Sequence, residues 1–165
     1  YIGLAGRSAP KPPQQCWVVT NLTDDAVNPA QGSFRWAVQQ ATYSPGYDCI
    51  SFVVSGEIDL GGTTFKVPGD LLIDGTSAPG YSNNENPKIV LKNYNFLRLP
   101  EPGSFTNPNT GLTQTYGNSN LTIKGIWFQD NGTSKLMDIR LFDNFLFKEN
   151  MLTKGARMQL IRSTN

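Results

Sequence analysis

Apolar residues in this chain follow two different periods. Between 33 and 42 the spacing is helical: Phe34, Ala37, Val38 and Ala41 fall at i, i+3, i+4 and i+7, Ser33 stands where an N-cap belongs, and Ser44-Pro45-Gly46 ends the segment. This predicts one short amphipathic helix. Elsewhere short β-type runs alternate with turns, at 17–20, 50–54, 57–60, 71–73, 88–91, 96–99, 121–128, 136–141, 145–151 and 158–161. Residues 100–119, with Pro102, Gly103, Pro108, Gly111 and Gly117, read as one long loop, which in a compact domain carries function or marks an insertion. The 165 residues suit one core. The expected organisation is an extended lead-in over 1–15, stiffened by Ala9-Pro10-Lys11-Pro12-Pro13, and a single domain over 16–165.

The most informative pattern is a repeat near the C-terminus, where residues 120–141 lie over residues 144–162. Asn120 recurs as Asn144, Gly132 as Gly155 and Met137 as Met158. A repeat of this length with two or three short strands suits an all-β solenoid, in which each circuit of chain stacks on the last and buries an apolar interior. Parallel stacking also lets like residues, notably Asn, sit above one another and share hydrogen bonds. The alternative is an antiparallel sandwich with coincidental spacing.

Composition agrees with a turn-rich β protein: 16 Gly, 11 Pro and only 16% charged residues, yet nine Phe, six Tyr and three Trp to build a core. Histidine is absent, which excludes Ser-His-Asp and Cys-His catalysis, His-ligated zinc and imidazole acid–base chemistry. A net charge of +1 and the lack of a basic stripe argue against nucleic acid as a partner. No apolar run approaches membrane-spanning length, so no membrane insertion is expected. The opening residues do not form a signal peptide, and a start at Tyr1 reads as a processed terminus or an excised fragment.

Cys16 and Cys49 each stand at the front of a β-type run. If those strands are neighbours the thiols can pair, and closing a loop of that size stabilises a fold by roughly 3–4 kcal/mol in the chain-entropy model; otherwise they are two buried thiols of a reduced protein. The sequons at Asn21, Asn120 and Asn131 are candidate N-glycosylation sites and, with the cysteine pair, favour an extracellular or cell-surface address.

Three segments carry a resemblance: Gly32-Ser-Phe-Arg-Trp-Ala-Val-Gln-Gln-Ala41, Asp48-Cys-Ile-Ser-Phe-Val-Val-Ser-Gly-Glu-Ile-Asp-Leu60 and Asp70-Leu-Leu-Ile-Asp-Gly-Thr-Ser-Ala-Pro-Gly80. They resemble the N-terminal cap and first coils of the pectate-lyase-like right-handed parallel β-helix proteins, openings that also occur in large bacterial surface proteins. The resemblance implies a right-handed parallel β-helix whose open apolar end is covered by the short N-terminal helix at about 33–42, with a disulfide pinning that lid's entrance and exit. Lyases of this family cleave acidic polysaccharides by β-elimination, with Ca2+ held by aspartates and an Arg acting as base. It therefore implies Asp130, Asp138, Asp143 and Glu149 as metal candidates, and Arg140, Arg157 or Arg162 as base.

The sequence departs from that machinery. Asp143-Asn144 stands where many members carry Asp-His, and no Pro lies between Arg157 and Arg162. At roughly 22 residues per circuit only about four or five coils fit. The favoured expectation is an extracellular, noncatalytic module without a cofactor, serving a structural, adhesive or self-assembling role at a cell surface or in a filament. The alternative is a Ca2+-dependent polysaccharide lyase or related glycan-processing enzyme, truncated here. Residues 1–80 carry four basic and seven acidic residues and residues 81–165 ten and six, so the second half could attract acidic polysaccharide or the acidic end of a neighbouring copy. Tyr81, Tyr94 and Tyr116 lie in polar contexts where exposed rings stack on sugars, whereas Trp17, Trp36 and Trp127 sit in core patterns. The chain stops directly after a strand, so the open C-terminal end is expected to meet further copies of itself or the remainder of a larger chain.

Overall fold

A computed structural model describes residues 15–99, 103–116, 120–129, 136–141, 145–153 and 157–162. These are largely β. Chain order is β1 (Gln15–Val19), α1 (Phe34–Tyr43), β2 (Asp48–Phe52), β3 (Gly56–Asp59), β4 (Thr64–Lys66), β5 (Leu71–Asp74), β6 (Ile89–Lys92) and β7 (Phe96–Leu99). Then follow β8 (Gly103–Thr106), β9 (Thr113–Tyr116), β10 (Leu121–Lys124), β11 (Ile126–Gln129), β12 (Leu136–Leu141), β13 (Leu146–Lys148), β14 (Met151–Leu152) and β15 (Arg157–Arg162).

The strands form three parallel sheets. Sheet A runs β1-β2-β5-β10-β13, sheet B β3-β6-β11-β14 and sheet C β4-β7-β12-β15. From β2 onward the chain visits A, B and C in that order four times, interrupted only by the antiparallel β8–β9 hairpin. We call each A–B–C triplet a layer. Met137 pairs with Met158 as the repeat predicts, and Thr122 pairs with Leu146 at the same separation as Asn120 and Asn144. Asn144, Gly132 and Gly155 lie outside the described residues.

Strict register makes side chains form columns through the layers, because a pleated strand sends alternate residues to opposite faces. In sheet A the inner column is Trp17, Ile50, Ile73, Ile123, Phe147. In sheet B it is Ile58, Leu91, Phe128, Leu152. Ile50, Ile58, Ile73, Leu91, Ile123 and Phe128 are all at most 3% exposed, so the columns are the core. Burying each is worth about 1.5–3 kcal/mol.

The predicted helix is present. The Ser33 hydroxyl accepts from Trp36 N–H at 3.2 Å, and the Ser44 N–H closes the other end onto Gln40 and Ala41 carbonyls. Phe34, Ala37, Val38 and Ala41 are buried, and the Phe34 ring stacks on Phe52 (5.9 Å) and Phe65 (5.3 Å) of the first layer. Arg35 fixes the approach to the helix: Nε and Nη2 grip Asp24 at 2.8 and 2.7 Å, Nη2 also donates to Thr63 Oγ1, and the guanidinium lies over Phe65 at 4.9 Å.

Three expectations change. The long loop contains the β8–β9 hairpin, with Phe105 and Gln114 half-buried and Ser104, Thr106, Thr113 and Thr115 exposed. Its Ser–Thr–Gln–Thr alternation is a strand pattern that the surrounding Pro and Gly outweighed. The runs 121–128 and 145–151 each split into two strands, at Gly125 (φ 66°) and Glu149 (φ 57°). Gly125 is obligatory, since a Cβ there would lie 2.7 Å from Thr76 N and 2.9 Å from Gly75 C in the layer before. Short β4, with only Phe65 buried, gives too little alternation to read in advance.

Candidate functional site

The site begins with the last layer. Among the described residues no strand lies beyond β13, β14 and β15. Lys148 O accepts from Gly125 N–H and Thr153 N–H donates to Phe128 O, so those residues face inward along the sheet. The alternate residues, Phe147 and Leu152, turn their peptide groups to the open side. The inner columns lose their cover there. Leu152 is 39% exposed where Ile58, Leu91 and Phe128 are at most 3%, and Leu146 on the outer face is 49% exposed. Phe147 stacks on Phe128 at 5.6 Å and Phe145 on Phe147 at 6.4 Å, leaving a half-buried aromatic stack at the edge.

The corner between sheets A and B is polar and borrows groups from the following layer. Phe52 N–H donates to Ser77 Oγ at 2.7 Å. At the corner around Gly125, Asn150 accepts from Ile126 N–H at 2.9 Å and donates to Ile123 O at 2.7 Å. Sequence reasoning missed Asn150, although its place 24 residues after Ile126 is legible once the register is known. One corner earlier the stacked pair is not of like residues, as expected for Asn, but Asn over Asp: Asn120 Nδ2 donates to Asp70 Oδ1 at 2.7 Å, both residues being left-handed (φ 55° and 53°) before β10 and β5.

Glu149 sits at this edge, but its carboxylate is taken: Lys148 Nζ lies at 2.8 Å and Tyr81 Oη donates at 3.3 Å. The Lys148 hydrogen bond holds Glu149 below the ordinary Glu value, while burial first and the Glu149 charge second raise Tyr81. One layer down, Lys124 meets Asp74 at 3.0 Å. Two ammoniums thus neutralise two carboxylates, Lys148 its chain neighbour Glu149 and Lys124 the Asp74 of the adjacent strand, a bracing arrangement rather than a free acid or base.

Among the described residues the other implied lyase positions do not converge. Asp138 is on β12 of sheet C, in register with Arg98 and Gln159 and remote in topology from the A–B corner of Glu149. Arg140 pairs with Ile161. Arg157 and Arg162 stand five apart on β15, in register with Leu136 and Leu141 of β12. Asp130 and Asp143 lie outside the described residues. The described donors, one carboxylate already neutralised and one in another sheet, do not fit a Ca2+ site.

Cys16 and Cys49 pair in register and form a disulfide spanning 33 residues. Of the sequon asparagines, Asn21 donates Nδ2 to Gln31 O at 3.0 Å and Asn120 donates Nδ2 to Asp70 Oδ1 at 2.7 Å. Asn131 lies outside the described residues. Tyr94 is corrected: it is fully buried and offers no exposed ring. Tyr81 is half-buried, the side chain of Tyr116 lies outside the described ones, and Trp17 and Trp36 pack half-buried against the core, whereas Trp127, expected there, alternates with the buried Ile126 and Phe128 and donates Nε1 to Thr153 Oγ1 at 2.6 Å on the outer face. A cleft of about 240 Å3 beside α1, between Val27, Gln39, Tyr43 and Phe65, is shallow. Asp48 is the one described carboxylate buried to 1% exposure, with Oδ2 accepting from Trp17 Nε1 at 3.2 Å and burial raising its proton affinity.

No helix among the described residues is long and apolar enough to cross a membrane. No protein-family model, curated protein or solved structure matches the chain.

Proposed function

We propose that this chain is an extracellular, noncatalytic module of the right-handed parallel β-helix type, covered at one end by α1 and serving a structural, adhesive or self-assembling role through the other. The observation that carries this reading is the inner column of sheet B, in which three members are buried and Leu152 is 39% exposed. Such a column belongs to a stack that is extended or covered at that end, because stacked repeats gain stability from each neighbour they contact. The fixed A–B–C order, parallel pairing throughout the three sheets and left-handed corner residues suit this architecture. The disulfide favours an oxidising compartment.

Two measurements test the reading. With Ca2+ and polygalacturonate or alginate, the protein is expected to release no unsaturated uronate detectable by ultraviolet absorbance. Ca2+-dependent product that disappears in Asp143→Ala would overturn the noncatalytic assignment. An experimental density map in which the A–B–C progression is left-handed would remove the family resemblance.

A further inference from the structure

We infer that the open edge of the last layer takes a second copy of this chain, head to tail, with β13 of one copy pairing in parallel with the free edge of β1 in the next. The inference rests on the layered reading above and names the partner of its open end.

Both halves of the joint are present on one molecule. Val53 N–H donates to Val19 O, so Val19 faces β2 and the Val18 peptide groups face away from it; among the described residues no strand lies on that side. Val18 is 39% exposed, much as Leu152 is at the other end. Continuing the sheet A register by one strand sets the next copy's Trp17 over Phe147, its Val18 beside Lys148 and its Cys16 beside Leu146. Aromatic then meets aromatic, and the exposed apolar groups meet apolar surface or the stem of a lysine. The same register brings Thr20 to the corner of Asn150. A hydroxyl there can serve as Ser77 serves Phe52 N–H in the first layer.

Charge points the same way. Described residues 15–66 contain Asp24, Asp25, Asp48, Glu57 and Asp59 against Arg35 and Lys66, whereas described residues 146–153 and 157–162 contain Lys148, Arg157 and Arg162 against Glu149. These segments therefore carry net −3 and +2, which steers opposite ends together and like ends apart. The two surfaces differ, so the contact is heterologous and need not close into a dimer.

The test is sedimentation of the 165-residue polypeptide over a range of concentration. The mass is expected to rise in whole-chain steps, with association weakened at least about tenfold between roughly 50 and 500 mM salt. Val18→Pro removes a free-edge donor, and Leu152→Asp places a charge that a docked copy must bury. Each variant alone should stay monomeric, while an equal mixture should stop at two chains, because each retains one intact end. Val18→Glu and Leu146→Glu replace either variant that misfolds. A wild type monomeric at every concentration would refute the inference, whether the end is free or reserved for another segment or protein. Undiminished association of Val18→Pro would refute it too, by showing a tail-to-tail contact. Amide exchange at Ile73, Ile123 and Phe128 keeps the two readings apart: protection there with no association sinks only the joint, and lost protection in the wild type sinks the layered reading itself.

Discussion

Replacing Asn150 tests whether the layers are locked by polar corners as well as by apolar columns. Its side chain satisfies Ile126 N–H and Ile123 O, residues that are 0% and 1% exposed. Leaving a buried backbone group without a partner costs about 1–3 kcal/mol. Asn150 itself is half-buried, so water offsets part of the loss, and about 2–3 kcal/mol is expected for Asn150→Ala. That is a large fraction of the roughly 5–15 kcal/mol that holds a domain together. Asn150→Leu keeps the volume and removes only the polar atoms. Urea unfolding followed by tryptophan fluorescence gives the global change, and exchange of the Ile126 amide gives the local one. Both variants should be destabilised alike, with Ile126 exchange accelerated. A loss below about 0.5 kcal/mol, or full recovery in the Leu variant, would refute the reasoning, since packing would then explain the residue.

Three further outcomes are expected. The Cys16→Ser/Cys49→Ser double variant should lose about 3–4 kcal/mol, the chain-entropy value for a loop of this length, and an unchanged urea midpoint would contradict it. Burial holds Asp48 above its ordinary value, so above about pH 4 and up to that raised value the folded state binds more protons than the unfolded one and stability falls as pH rises. Asp48→Asn should flatten this slope and raise the melting temperature at neutral pH; a variant that keeps the wild-type slope points to another group. Val38→Asp puts a carboxylate where α1 meets the first layer and should cost about 2–4 kcal/mol, so an unaltered melting temperature removes α1 as the cover of that end.

Much of the fold was legible because local patterns and tertiary needs agree. Ser33 and the 34–37–38–41 stripe specify α1 whatever it packs on, since an apolar face and a cap are local properties. The Met137–Met158 spacing likewise exposed the register of β12 and β15. The hairpin was not legible, because its strands are Thr-rich and Pro and Gly surround them. Nor was the fate of Tyr94, whose neighbours Asn93 and Asn95 mark a corner but say nothing about which way a ring turns.

The candidate site divides in the same way. Sequence by itself determined the absence of imidazole chemistry, the one helix and the β-rich remainder, each a matter of residue type or short-range period, whereas the pairing of Cys16 with Cys49 waited on the register of β1 and β2. Only the tertiary structure decided that Glu149 is neutralised by Lys148, that Asn150 locks the corner before its own, and that Leu152 ends a column uncovered. These depend on register between strands more than twenty residues apart, and a slip of one residue would reverse every face.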